Sequence, residues 1–148
     1  LYLPAVGAVT PIRGERRAEG FMGTDFAFDD LAPPDPREGE HTLISEDDTS
    51  WVVESRFDDG NRSYKTARAT VRRSDGLPTQ VEYLGSEGVA LKRLELLAVD
   101  DAGLPARLRM SDLQKGTSTL LEVLEQRLDV PEEEVPLEWF TAEGIAGP

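Results

Sequence analysis

The chain has 148 residues, enough for one domain with its own hydrophobic core, and its 39% hydrophobic and 30% charged residues are ordinary for a globular protein. A formal net charge of -13 argues against nucleic acid, because phosphate binding needs clustered Lys and Arg, and it disfavours anionic membrane surfaces. The absence of cysteine excludes disulfides and thiolate metal sites, and no run approaches the roughly 18 apolar residues of a membrane helix.

The chain opens Leu1-Tyr2-Leu3-Pro4, without a methionine or a basic leader, and so reads as a processed or excised piece. Basic residues Arg13, Arg16 and Arg17 precede the string Phe21-Met22-Gly23-Thr24-Asp25-Phe26-Ala27-Phe28-Asp29-Asp30-Leu31. No period-2 strand fits this string. Gly23 and Thr24 read as a turn, Thr24 or Asp25 as the N-cap of a short helix, and Phe28 and Leu31 as sharing one helical face. Pro33-Pro34-Asp35-Pro36 reads as a surface loop, and His41-Thr42-Leu43-Ile44-Ser45 as a strand.

From Trp51 onward the pattern is strand, turn, strand. In residues 51–57, Trp51, Val53 and Phe57 fall on one side and Val52, Glu54 and Arg56 on the other. Asp58-Asp59-Gly60-Asn61 supplies turn chemistry; an EF-hand reading fails for want of alternating ligands and a distal Glu. Strands follow over residues 65–73, 79–84, 89–99, 104–111 and 117–128, separated by Ser74-Asp75-Gly76, Ser86-Glu87-Gly88, Asp100-Asp101-Ala102-Gly103 and Gln114-Lys115-Gly116. The last strand also fits a helical stripe through Leu120, Leu121, Leu124 and Leu128, but its tight entry turn and Thr-Ser-Thr start favour β. Loops this short cannot cross over between parallel strands, so the expectation is a mainly β antiparallel meander, wet on one face and dry on the other. The short helix near residues 26–31 and the tail Val135-Pro136-Leu137-Glu138-Trp139-Phe140 are the candidates to cover the dry face.

Catalytic chemistry lacks its parts. His41 is the only histidine and has no G-x-S-x-G partner. The adjacent carboxylates Asp29-Asp30, Asp47-Asp48, Asp58-Asp59 and Asp100-Asp101 alternate faces on strands or favour solvent in turns, so spacing alone does not make them converge. No phosphate-cradling glycine loop is present, and nothing calls for a metal or cofactor. The large one-sided apolar surface favours binding over catalysis.

The Leu1-Tyr2-Leu3-Pro4 element and the Phe21-Met22-Gly23-Thr24-Asp25-Phe26 string with Asp30-Leu31 resemble the LolA-like outer-membrane lipoprotein-sorting family. The downstream order is similar too: Gly76-Leu77-Pro78 before Val81-Glu82-Tyr83, Gly88 with Lys92-Arg93-Leu94, residues 103–110, Gly116 and Thr119, and the closing Pro136-Leu137-Glu138-Trp139-Phe140-Thr141. The resemblance implies one domain over residues 1–148, an open half-barrel of LolA/LolB type with short helices or loops on its concave face. It implies a fragment lacking the family's N-terminal helix and first strands, leaving a sheet edge open to another copy. It further implies a non-enzymatic carrier of the periplasm or outer membrane that binds acyl chains of lipids or lipoproteins, with an inner- or outer-membrane protein as a further partner. The expected lining is Trp51, Val53, Val81, Tyr83, Leu94, Leu96, Leu108 and Met110. The alternative is a non-catalytic envelope scaffold or accessory module of a transport complex; a carboxylate hydrolase is the least supported reading.

Overall fold

The computed structural model describes residues 1–3, 7–31, 37–57 and 64–146, apart from the side chains of Leu3, Ala142 and Ala146. Pro4, the Pro33–Pro36 loop and the Asp58–Asn61 turn expected from sequence lie outside the described residues. The chain clusters into two compact units, one of residues 14–124 and one combining residues 1–13 with 125–148.

The smaller unit contains the antiparallel pair β1 (Tyr2–Leu3) and β2 (Ala8–Val9), a 3₁₀ turn at Leu137–Phe140 and the short helix α1 (Ala142–Ala146), which lies against β2. Thr141 caps α1, its Oγ1 accepting from the Gly144 N–H at 3.0 Å. Gly144 is required here, because a Cβ would stand 1.8 Å from the Glu138 carbonyl oxygen. Leu137, Trp139 and Phe140 are exposed.

The larger unit is a seven-stranded antiparallel meander: β3 (Glu40–Glu46), β4 (Ser50–Arg56), β5 (Thr66–Arg72), β6 (Pro78–Leu84), β7 (Ala90–Val99), β8 (Pro105–Asp112) and β9 (Thr117–Glu122). Each strand pairs with its neighbours in sequence, and the sheet stays open between β3 and β9. Every strand read from the alternation is present. The final segment is a strand, as its turn and Thr-Ser-Thr start predict, but it ends at Glu122 and leaves Leu124 and Leu128 exposed outside the ladder. Aspartates and glycines make the turns. Asp47 accepts from the Thr49 hydroxyl (2.8 Å) and from the backbone N–H groups of Thr49 (2.7 Å) and Ser50 (2.8 Å), and these donors hold its carboxyl at about 2. Gly116 closes the β8–β9 hairpin at φ 71°, a conformation costly for residues with a Cβ.

Register fixes the faces. Directly opposite residues point to the same side. One row therefore runs Leu43, Val53, Ala69, Val81, Leu94, Met110, Thr119, and a second runs Leu96, Leu108, Leu121. The alternate row, Glu54, Arg68, Glu82, Arg93, Ser111, Ser118, belongs to the other face, where Arg68–Glu54 (2.8 Å), Arg93–Glu82 (2.9 Å) and Arg109–Glu95 (3.1 Å) bridge neighbouring strands. Glu54 is held below the usual carboxylate range by hydrogen bonds from Arg68 and then Arg56.

Little of the apolar face is sealed. The buried hydrophobic side chains among the described residues are Phe26, Ala27, Leu84 and Met110, and of the large ones only Met110 is fully inaccessible. Met110→Ala is expected to cost about 2–5 kcal/mol, measured as a lower urea midpoint with an unchanged slope.

Candidate functional site

The eight residues expected to line a binding surface all fall on one side of the sheet. Trp51 and Val53 lie on β4, Val81 and Tyr83 on β6, Leu94 and Leu96 on β7, and Leu108 and Met110 on β8, joined through Ala69 and Ala67 of β5. Met110 is buried and belongs to the core; the other seven are half-buried and keep part of their surface accessible. Leu43 continues the row onto β3, where it is exposed.

Residues 14–31 form a strap bonded to this face at its β7–β9 corner. It comprises two 3₁₀ turns, Gly14–Ala18 and Phe28–Leu31, drawn together by an isolated bridge between Gly20 and Ala27. Thr24 makes the turn: its hydroxyl donates to the Phe21 carbonyl at 2.6 Å and accepts from the Phe26 N–H at 3.3 Å. Asp25 is not the helix cap that its position suggested. Its carboxylate accepts from the hydroxyls of Thr117 and Thr119 on β9, and its N–H donates to Thr119 Oγ1 at 2.9 Å. The capping task falls instead to Asp30, whose Oδ2 accepts the Ala27 N–H at 2.7 Å from within the turn. Phe26 is buried, Phe28 is half-buried and meets Phe21 edge to face at 5.6 Å, and Leu31 is exposed rather than sharing a buried face with Phe28.

Asp29 and Asp30 correct the expectation that adjacent carboxylates in a turn face solvent. Both are buried, because each has its own cation: Arg17 pairs with Asp29, and Lys92 Nζ lies 3.7 Å from Asp30 Oδ2. Lys92 also donates to the Asp25 carbonyl at 2.7 Å, tying the strap to β7. Burial pushes the Asp30 carboxyl upward, against the opposing pull of the Ala27 N–H and Lys92; its Oδ1 is buried without a hydrogen-bond partner among the described residues. Beside it, Tyr64 stacks on Tyr83 with ring centres 4.5 Å apart, and desolvation followed by the neighbouring carboxylates raises its phenol.

These carboxylates pair with cations of the strap and of β7. His41 Nδ1 lies 2.8 Å from Ser55 Oγ in exposed surroundings on the edge strand β3 and its neighbour. No group of acidic and histidine side chains among the described residues could hold a metal ion. Sequence reading placed these eight residues on one face of the sheet; it missed Asp25, Thr117, Thr119 and Lys92 as a clamp, since nothing local links residues so far apart in the chain.

The fold is that of the LolA-like open barrels. A crystal structure described as a putative outer membrane lipoprotein-sorting protein domain from Vibrio parahaemolyticus superposes with a TM-score of 0.78 at 23% identity, covering 91% of this chain and 62% of that one. A DUF1329 family protein from Desulfovibrio piger gives 0.78 at 19% identity, covering 95% and 61%. A LolA superfamily protein from Nitrosomonas europaea gives 0.63 at 22% identity, covering 80% and 59%. The chain thus spans about three fifths of the length of these solved structures. A family model described as "uncharacterized protein" matches residues 1–143, and the chain belongs to that family. No curated protein matches it.

Two outcomes are expected of the strap. Asp25→Ala removes the two hydrogen bonds that its carboxylate accepts from Thr117 and Thr119 on β9, so hydrogen exchange should accelerate across residues 21–31 while the amides of β4–β6 keep their protection. Because the folded-state pKa of Asp30 lies above 3.8, the native state binds the extra proton. Its contribution to stability is therefore greatest below 3.8 and is lost as pH rises through the folded value. Denaturation midpoints of the protein and of Asp30→Asn, compared across acidic to neutral pH, should move in favour of the variant as pH rises.

Proposed function

We propose that this domain is a non-catalytic carrier that holds acyl chains of lipoproteins or other lipids on the apolar face of its open sheet, in the periplasm or at the outer membrane of a bacterial envelope. The observation that carries this reading is the accessible apolar face itself. Trp51, Val53, Val81, Tyr83, Leu94, Leu96 and Leu108 lie in register on adjacent strands yet remain half-buried. A contiguous apolar surface left accessible in this way marks a place where something apolar docks. Burying an acyl chain gains about 0.8 kcal/mol per CH₂, so a shallow trough suffices for useful affinity. The description of the Vibrio parahaemolyticus domain as a putative lipoprotein-sorting protein points the same way.

A second reading rests on β3. All seven of its residues are exposed, and it is an edge strand of the sheet among the described residues, to which another strand, from a membrane protein or a second copy, could add. Under that reading the domain is a scaffold or accessory module of a transport complex.

Delipidated protein titrated with a dansyl-labelled fatty acid separates the two. Carrier function requires saturable uptake that Leu96→Asp weakens at least about tenfold, a loss of 1.4 kcal/mol or more. Leu120→Asp, on the charged face, should leave it unchanged. Absence of uptake, with strand addition at β3 retained, leaves the scaffold.

A further inference from the structure

Lys92 and Arg73 both stand on the apolar side of the sheet, and they are used differently. Lys92 is committed to the strap through Asp25 and Asp30. Arg73 directly follows β5 and shares the side of Ala69 and Val71; its guanidinium carbon lies 4.6 Å from the centre of the Trp51 ring. Glu46, directly opposite Trp51 in the β3–β4 register, pairs with one end of that guanidinium. The Glu46 side chain is 54% exposed, against 32% for Arg73. Arg73 Nε is buried and finds no acceptor among the described residues, as is also true of Arg68 Nε and Arg93 Nε on the charged face, so what sets Arg73 apart is its seat on the Trp51 ring.

This arrangement is poorly explained as a stabilising device. An ion pair with so exposed a partner is screened by solvent and contributes little, and a buried donor without an acceptor is a cost. It is well explained as a receptor. A guanidinium seated on an indole is held in place by the ring and presents a planar fork suited to carboxylate or phosphate oxygens. From Trp51 on β4 the apolar side chains continue across to Leu108 on β8, four strand spacings or roughly 19 Å away, the scale of an extended acyl tail. We infer that Arg73, seated on Trp51, receives the anionic headgroup of an amphiphile whose tail lies on the apolar face, and that Glu46 is the internal counter-ion which the headgroup displaces. The inference rests on the carrier reading and narrows it: the ligand carries a carboxylate or phosphate, and a neutral amphiphile lacks half of the recognition.

The test uses the full chain, delipidated, near neutral pH, with dansyl-labelled undecanoic acid and its methyl ester as probes. The acid should bind about tenfold more tightly than the ester. Arg73→Gln should bring the acid down to the affinity of the ester and leave the ester unchanged, whereas Glu46→Gln should tighten the acid alone. Unlabelled oleate and a short-chain phosphatidic acid then compete for the site. Displacement by either that requires Arg73 supports the inference, and the stronger competitor identifies the source of the anion; displacement by neither overturns it. Equal, saturable binding of acid and ester also overturns it while leaving the carrier reading intact, as does an Arg73→Gln loss shared equally by both probes, which would make Arg73 a packing partner of Trp51. If neither probe binds, the carrier reading falls as well.

Discussion

In an antiparallel sheet the residue opposite a given side chain points to the same face, and in this sheet that rule runs from Leu43 on β3 to Thr119 on β9 along a single row. Everything else depends on it. Because side chains alternate with period 2, a slip of one residue in any hairpin would carry Val53 or Leu94 to the charged face and Glu54 or Arg93 to the apolar one. The turns guard against such a slip. Asp47, Asp75, Asp100 and Asp112 each accept backbone N–H groups of their own hairpin, so the register is set by side chains that belong to the turn. The charged face adds its own check, since Glu54–Arg68 and Glu82–Arg93 meet only in the correct register.

A sheet built this way has to do something with its apolar side. In the larger unit the strap does part of the work, and it does so mostly with polar contacts. A carboxylate between two threonine hydroxyls, a lysine on a backbone carbonyl and an arginine on a buried aspartate hold it, while Phe26 and Ala27 are the apolar side chains that it buries. Such contacts are directional and place the strap at one corner, where a greasy patch would let it slide. The cost shows at Asp30, whose carboxyl is pushed upward by burial despite Lys92 and the Ala27 N–H. The row Tyr83, Lys92, Asp112, Thr117 thus puts polar residues on the apolar face where the strap binds.

How much of this could be read from the chain follows from the range of each interaction. Strand alternation and turn chemistry are local, so all seven strands and the faces of Trp51, Val81, Leu94 and Leu108 were legible. The end of β9 was not: residues 123–128 continue in good strand or helix formers, yet the strand ends at Glu122, with one further bond from the Val123 N–H to the Ala106 carbonyl at 2.9 Å. The strap was legible as a turn with aromatics and illegible as a clamp. Asp25 lies 94 residues from Thr119, and an aspartate after a turn looks like a cap whether or not it serves as one. The same limit hid the burial of Asp29 and Asp30, for their cations Arg17 and Lys92 are brought to them by the fold. Arg73 on Trp51 belongs with these: each residue is readable in its strand, but their stacking exists only across the β4–β5 pair.

The two corners of the apolar face therefore differ in kind. At the β7–β9 corner the polar groups satisfy one another through the main chain and side chains of the strap, and Asp25, Thr117, Thr119 and Lys92 have little left to offer a ligand. At the β3–β5 corner the charged groups meet only through long side chains, one of them largely in solvent, and a guanidinium nitrogen is left without an acceptor. Between the corners lie Val53, Val81, Leu94, Leu96 and Leu108, which carry no polar group that could orient a ligand. A surface uniform in its middle and unlike at its ends has a direction. An amphiphile lying across it would gain the same from its tail in either orientation, so the difference in energy between the two would be decided at the corners, where Arg73 has a charge that the strap does not occupy.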